Sequence, residues 1–141
     1  MITLNNMNIS FGSIPYGPVT YARGWQAQGQ VSWEGNDGTQ QRATWTIVVD
    51  TDEYTTTQGL QSFLENKGCT NIKVQDRTID GQAGADGQCL YNYELLDGTA
   101  KSEMHYVAIF PIPNLDGFVC EIDSTNPNIR NDMERTIGMD T

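Results

Sequence analysis

Apolar residues recur at every second position along most of this chain, and that period confines it to strands with one side turned toward a core. The longest run is Trp25, Ala27, Gly29, Val31 and Trp33, interleaved with Gln26, Gln28, Gln30, Ser32 and Glu34. Asn36-Asp37-Gly38 then signals a turn, and Ala43, Trp45, Ile47 and Val49 resume the alternation, so the two segments read as a hairpin. Ile72 and Val74 open another strand that runs toward Ile79, after which Gly81, Gly84 and Gly87 break the regularity. Three further sets read as a meander: Cys89, Tyr91, Tyr93 and Leu95; Met104, Tyr106, Ala108 and Phe110; Phe118, Cys120 and Ile122. A two-residue turn on Asp97-Gly98 sets Glu94 opposite Lys101, a favourable cross-strand pair, and is preferred over a register that opposes Glu94 to Glu103.

Two segments change period. Leu60, Phe63 and Leu64 lie at helical spacing, with Thr55, Thr56 or Thr57 available as a cap and Gly68 as a stop, which predicts a helix near 57–67. Near the end, Asn126-Pro127 supplies a cap and a first-turn proline, and Ile129, Met133 and Ile137 recur every four residues, which predicts a helix over 127–138. The expected fold is therefore α+β: an antiparallel sheet of five to seven strands flanked by two helices. The 141 residues, 38% of them hydrophobic, suit one domain, with residues 1–24 a polar segment that forms either an added strand or an arm.

Charge narrows the partners. Lys+Arg 8 against Asp+Glu 18 gives a formal net charge of -10, and no stretch of sequence clusters its basic residues. Nucleic-acid backbones and anionic membrane surfaces are repelled by such a chain, whereas a cation or a basic protein surface is favoured electrostatically. No run has the length of a transmembrane helix, so membrane insertion is not expected. The opening MITLNNMNIS has neither the basic start nor the apolar stretch of a signal peptide, while abundant Asn, Gln, Thr and Gly with few Lys fit an exported protein whose signal was removed.

Catalytic and metal motifs fare poorly. Asp80 to Gly87 carries two carboxylates among glycines, but counted as a calcium loop from Asp80 its positions 3, 5 and 12 are Gln82, Gly84 and Tyr91, so it reads as a glycine-rich connection. Asp50, Asp52 and Glu53 form a tighter acidic knot and are the candidate ligands for Ca²⁺ or another hard cation; a solvated loop before the helix is the plainer reading. Cys69, Cys89 and Cys120 with His105 invite a zinc site, yet no pair has zinc-ligand spacing. Strand parity sets Cys89 and Cys120 on one face and His105 on the other. Cys89 and Cys120 are expected to stay unbonded, being on the outer strands of the meander, while pairing with Cys69 stays open. His105, the single histidine, has no nucleophile presented to it, and phosphate-binding glycine loops are absent from the sequence. The tryptophans sit on inward parity, as core residues do.

The order of elements resembles the PsbP-like fold, named for an extrinsic subunit of photosystem II. The likeness runs from about Trp25 to the end, through the helix at Leu60 to Leu64, the strand into Ile79-Asp80-Gly81-Gln82-Ala83-Gly84, the meander through Ala108 and Phe110, and Ser124-Thr125-Asn126-Pro127 before the last helix. The resemblance implies an antiparallel sheet flanked by helices and a non-enzymatic binding or assembly role, and it carries no functional residues. The expected function is an extracytoplasmic or cell-surface module that contacts an unknown protein partner. The alternative is a cytoplasmic adaptor with free thiols.

Overall fold

Asp80 and Gly81 make a two-residue turn, and the hairpin it closes forms one flank of the main sheet. The computed structural model describes residues 2–3, 13–14, 26–34, 37–50, 55–112 and 117–139. Among the described residues, strands and helices follow in order: β1 (Ile2–Thr3), β2 (Ser13–Ile14), β3 (Gln26–Glu34), β4 (Gln40–Asp50), α1 (Thr57–Asn66), β5 (Cys69–Ile79), β6 (Gln82–Glu94), β7 (Ala100–Pro111), β8 (Val119–Ser124), α2 (Pro127–Thr136) and β9 (Gly138–Met139). Six strands form one sheet in the order β3-β4-β8-β7-β6-β5, and every recorded pairing is antiparallel. The architecture is thus α+β with a six-stranded antiparallel sheet and two helices. Within the polar segment 1–24, β1 and β2 join β9 in a second, three-stranded sheet; the rest of that segment, and Trp25, lie outside the described residues.

The glycine-rich connection expected at 80–87 is instead a turn and a strand. Ile79 pairs with Gln82, leaving a two-residue turn in which Asp80 has φ 51° and Gly81 φ 73°. A hairpin turn of this kind needs positive φ at both positions, and Asp-Gly supplies it. From Gln82 the chain runs extended for 13 residues through Gly84 and Gly87. On the opposite flank Gly29 stands across from Trp45, and a Cβ there would lie 2.6 Å from the indole, so the ring of Trp45 occupies the space that glycine leaves.

The expected two-residue turn at Asp97-Gly98 is corrected. Glu94 pairs with Ala100, and Lys101 faces Tyr93, so residues 95–99 form a five-residue loop in which Asp97 Oδ1 accepts the Thr99 amide at 2.9 Å. Asp37 holds Thr39 in the same way at 3.0 Å in the β3–β4 loop. One residue of register exchanges the faces of a strand. Cys89 therefore faces His105, and Cys120, opposite Phe110 across β7, points to the other side of the sheet. The parity that had joined Cys89 to Cys120 and excluded His105 is overturned.

Each face carries its own helix and core. α1, capped by the Thr56 hydroxyl accepting the Gly59 amide at 3.1 Å, lies over β5 and β6 and packs Leu60 and Leu64 against Ala85, Cys89, Val107 and Ile109. α2, capped by the Asn126 side chain, lies over β7 and β8 and packs Ile129 and Met133 against Ile47, Phe110 and Ile122. The aromatic side chains divide accordingly. Trp45, Phe110 and Phe118 belong to the α2 side, and half-buried Phe63 and Tyr91 to the α1 side. Among the described residues, no helix is long and apolar enough to cross a membrane.

Candidate functional site under helix α2

The β5–β6 hairpin and α2 bring together charged residues that lie far apart in sequence. Alternation along β5 turns Gln75 and Arg77 toward α2, and their pairing with Asp86 and Gly84 places the Asp86 carboxyl beside them. Arg130 and Glu134, one turn apart on α2, flank the apolar stripe of Ile129 and Met133 and reach the same place. Asp86 is 1% exposed and accepts from Gln75 Nε2 at 2.8 Å, with Arg77 Nε at 3.7 Å and Arg130 Nη1 at 3.8 Å. Arg77 Nε donates to Glu134 Oε2 at 3.1 Å. Arg130 Nη1 donates to two backbone carbonyls on adjacent strands, Gly87 at 2.9 Å and Val107 at 3.1 Å. Burial of charge on this scale is tolerated only when each group finds partners.

One acceptor is left over. Glu134 Oε1 lies 2.9 Å from Arg130 Nε but outside hydrogen-bonding geometry, because that N–H is directed to Asn131 Oδ1 at the same distance. A carboxyl oxygen that carries a proton is a donor rather than an orphaned acceptor. Burial, reinforced by the hydrogen bond with Asp86, pushes Glu134 up to about 8 against the pull of Arg130 and Arg77. Asp86 and Glu134 thus form a buried carboxyl pair clamped between two guanidinium groups.

Beside this pair opens a cleft of about 560 Å³, bordered by Arg77, Arg135, Asn131 and Thr78, and a second of about 230 Å³ adjoins it past Lys73 and Gln88. Lys73, Arg77, Arg130 and Arg135 are four of the chain's eight basic residues, gathered at adjoining clefts in a molecule of net charge -10. Arg135 is paired with Asp132 yet keeps 66% of its side chain exposed, and Lys73 stands exposed on the edge strand.

The other face holds a second polar group. His105 Nδ1 is 2.7 Å from Asp123 Oδ1, and its Nε2 is 3.0 Å from Glu103 Oε1. The hydrogen bond to Asp123 raises the imidazole above its ordinary value despite burial. Tyr91 meets the ring edge-on with centroids 5.4 Å apart. Cys69 and Cys89 are joined in a disulfide, and they line a cavity of about 320 Å³ together with His105, Asp123, Tyr91 and Lys67. Cys120 is a free buried thiol, pushed well up by desolvation.

Of the candidate cation ligands, Asp50 ends β4 opposite Val119 and is half-buried; Asp52 and Glu53 lie outside the described residues. Among the described residues, no three His, Cys, Asp or Glu side chains are grouped to hold a metal. Sequence reasoning missed Asp86, read as part of a loop, and Arg130 and Glu134, whose four-residue spacing beside Ile129 and Met133 was the available signal. No protein-family model, no curated protein and no solved structure matches the chain.

Proposed function

We propose that this chain is an extracytoplasmic binding or assembly module of PsbP-like architecture, and that it grips a protein partner by an acidic group laid into the cleft under α2. The observation that carries this reading is the concentration of Lys73, Arg77, Arg130 and Arg135 around one pair of clefts in an otherwise acidic chain. A carboxylate entering there meets exposed cationic side chains and the amides of Gln75 and Asn131, while the surrounding negative surface discourages anions from docking elsewhere. The Cys69–Cys89 bond supports placement outside the reducing cytosol. The cytoplasmic-adaptor reading relies on free thiols, and of the three cysteines only Cys120 is free.

The test is a chemical-shift titration of the full chain with a tetra-glutamate peptide and, in parallel, with a tetra-serine peptide. The acidic peptide is expected to move resonances of Lys73, Gln75, Asn131 and Arg135, to weaken with added salt, and to be lost in the Lys73→Glu/Arg135→Glu double variant. Equal shifts with both peptides, or shifts unchanged in the double variant, would remove the assignment.

A further inference from the structure

A disulfide that serves only as a staple sits in apolar surroundings, away from groups that handle protons. The Cys69–Cys89 bond has the apolar packing of the α1-face core on one side, but not that isolation. It borders a cavity of about 320 Å³ that is also lined by the His105–Asp123 pair and by Lys67, the C-cap of α1, and the two cysteines differ in exposure. Cys69 retains a little exposure at the start of β5, whereas Cys89 has none. A register shift between Thr70 and Lys73, with Asn71 at φ 52°, brings the two Cα atoms to 5.7 Å. Cys89 is also the cross-strand partner of His105 on the same face, a relation that sets Cβ atoms about 4.5–5.5 Å apart.

We propose that Cys69–Cys89 is a reactive disulfide that exchanges with a low-molecular-weight thiol entering the α1-face cavity, with Cys69 the sulfur attacked, Cys89 the leaving sulfur and His105 the group that protonates it. In the first step the thiolate of the incoming thiol forms a bond to Cys69 Sγ. The Cys69–Cys89 bond breaks, and its electron pair goes to Cys89 Sγ, which takes the imidazolium proton of His105. In the second step a further thiolate attacks the small-molecule sulfur of the mixed disulfide and releases Cys69 as a thiolate; it and the spent imidazole of His105 then take up from solvent the two protons that the small thiols gave up on ionising. Two thiols are thereby oxidised to their disulfide, and the protein bond is reduced to a dithiol; run backward, a small disulfide reoxidises the pair.

The surroundings suit each participant. Lys67, at the C-terminal end of α1, lines the cavity and attracts the incoming thiolate. The groups facing the imidazole are Asp123 from β8, Glu103 on its own strand, Tyr91 from β6 and Lys67 from α1. Asp123 favours the charged form of the ring, the form that can give up a proton where Cys89 departs. Burial of Cys89 disfavours a lasting thiolate there and makes this proton the requirement for bond opening. The cavity is at the small end of ligand sites, which restricts the partner to a thiol of metabolite size.

The experiment follows reduction of the oxidised full chain by 2-mercaptoethanol, with acid quench, alkylation and mass analysis, across the pH range in which imidazole titrates. The native bond is expected to open at least about tenfold faster than the same bond in the urea-unfolded chain, with His105→Gln losing about a hundredfold, the low end for a positioned proton donor. After correction for the thiolate fraction of the reagent, the wild-type rate should fall as the imidazole loses its proton, and the His105→Gln profile should be flat. A second arm does not depend on that variant folding: with 2-hydroxyethyl disulfide, Cys89→Ser is expected to form a mixed disulfide at Cys69, and Cys69→Ser none at Cys89. A native bond that opens more slowly than the unfolded one, a His105→Gln profile identical to wild type, or capture at Cys89 in preference to Cys69 overturns the proposal and leaves a structural crosslink.

Discussion

Glu134 has a basic side chain on either side and the Asp86 carboxyl against it. The sign of its pH dependence follows from its two states. The folded chain holds the Glu134 proton up to about 8, whereas an unfolded glutamate releases it near 4.3. The stabilising contribution is therefore complete below the unfolded value and is lost as pH climbs through about 8. His105, also raised, adds a loss of the same sign above about 6.5. Urea unfolding between about pH 5 and pH 9 should show stability falling by a few kcal/mol, since a tenfold difference in proton affinity between the folded and unfolded chain is worth about 1.4 kcal/mol. Glu134→Gln keeps a donor and an acceptor without the charge, so most of the decline should disappear. Parallel pH profiles for the two proteins would show that Glu134 is ionised throughout.

At the scale of elements, α2 is held in place from its first residue. The Asn126 side chain accepts the amides of Asn128 at 2.8 Å and Ile129 at 3.1 Å, and its own backbone amide donates to Ser124 Oγ at 3.1 Å, which ties the cap to the end of β8. Asn126→Ala should cost about 1 kcal/mol, as loss of an N-cap usually does. Because Arg130 and Glu134 ride on this helix, the variant should also weaken binding of an acidic peptide at the α2 cleft and leave the α1-face cavity untouched. Thermal unfolding and the peptide titration together check both halves. The cap, the first-turn proline and the Asp80-Gly81 turn are all written in local sequence, but the turn at 80–81 was obscured by the glycines that follow it. Glycine usually interrupts a strand, and here Gly84 and Gly87 lie inside one.

The molecule as a whole is a sheet with a core on each side, and this makes a separable prediction about stability. Phe110 is fully buried on the α2 face and Leu64 nearly so on the α1 face. Phe110→Ala should cost roughly 3–5 kcal/mol and Leu64→Ala roughly 2–5 kcal/mol. Since the two side chains belong to different clusters, the costs should add to within about 0.5 kcal/mol in the double variant. A coupling well above that, measured by denaturant unfolding, would mean that the cores communicate through the sheet.

The sequence alone determined both helices and most strands of the main sheet, though not the start of β6: period-two runs, helical spacing at Leu60–Leu64 and Ile129–Met133, caps and turn residues are local signals, read over a few positions. It also placed β7 between the strands of Cys89 and Cys120. Which residues share a face was decided by the tertiary structure. When only one side of a sheet is buried, alternation pins register, because a slip of one residue exposes the core set. In β7 the run Tyr106-Val107-Ala108-Ile109-Phe110 is apolar on both parities, as expected of a strand covered on both sides, so the pattern could not distinguish a five-residue loop from a two-residue turn. That single residue of register carries Cys89 to His105, while its bond to Cys69 is set on the other side, by the pairing of β6 with β5. The cluster of Asp86, Arg77, Arg130 and Glu134 likewise exists only once α2 folds back over the sheet, because charge and burial at such a site are set by neighbours distant in sequence.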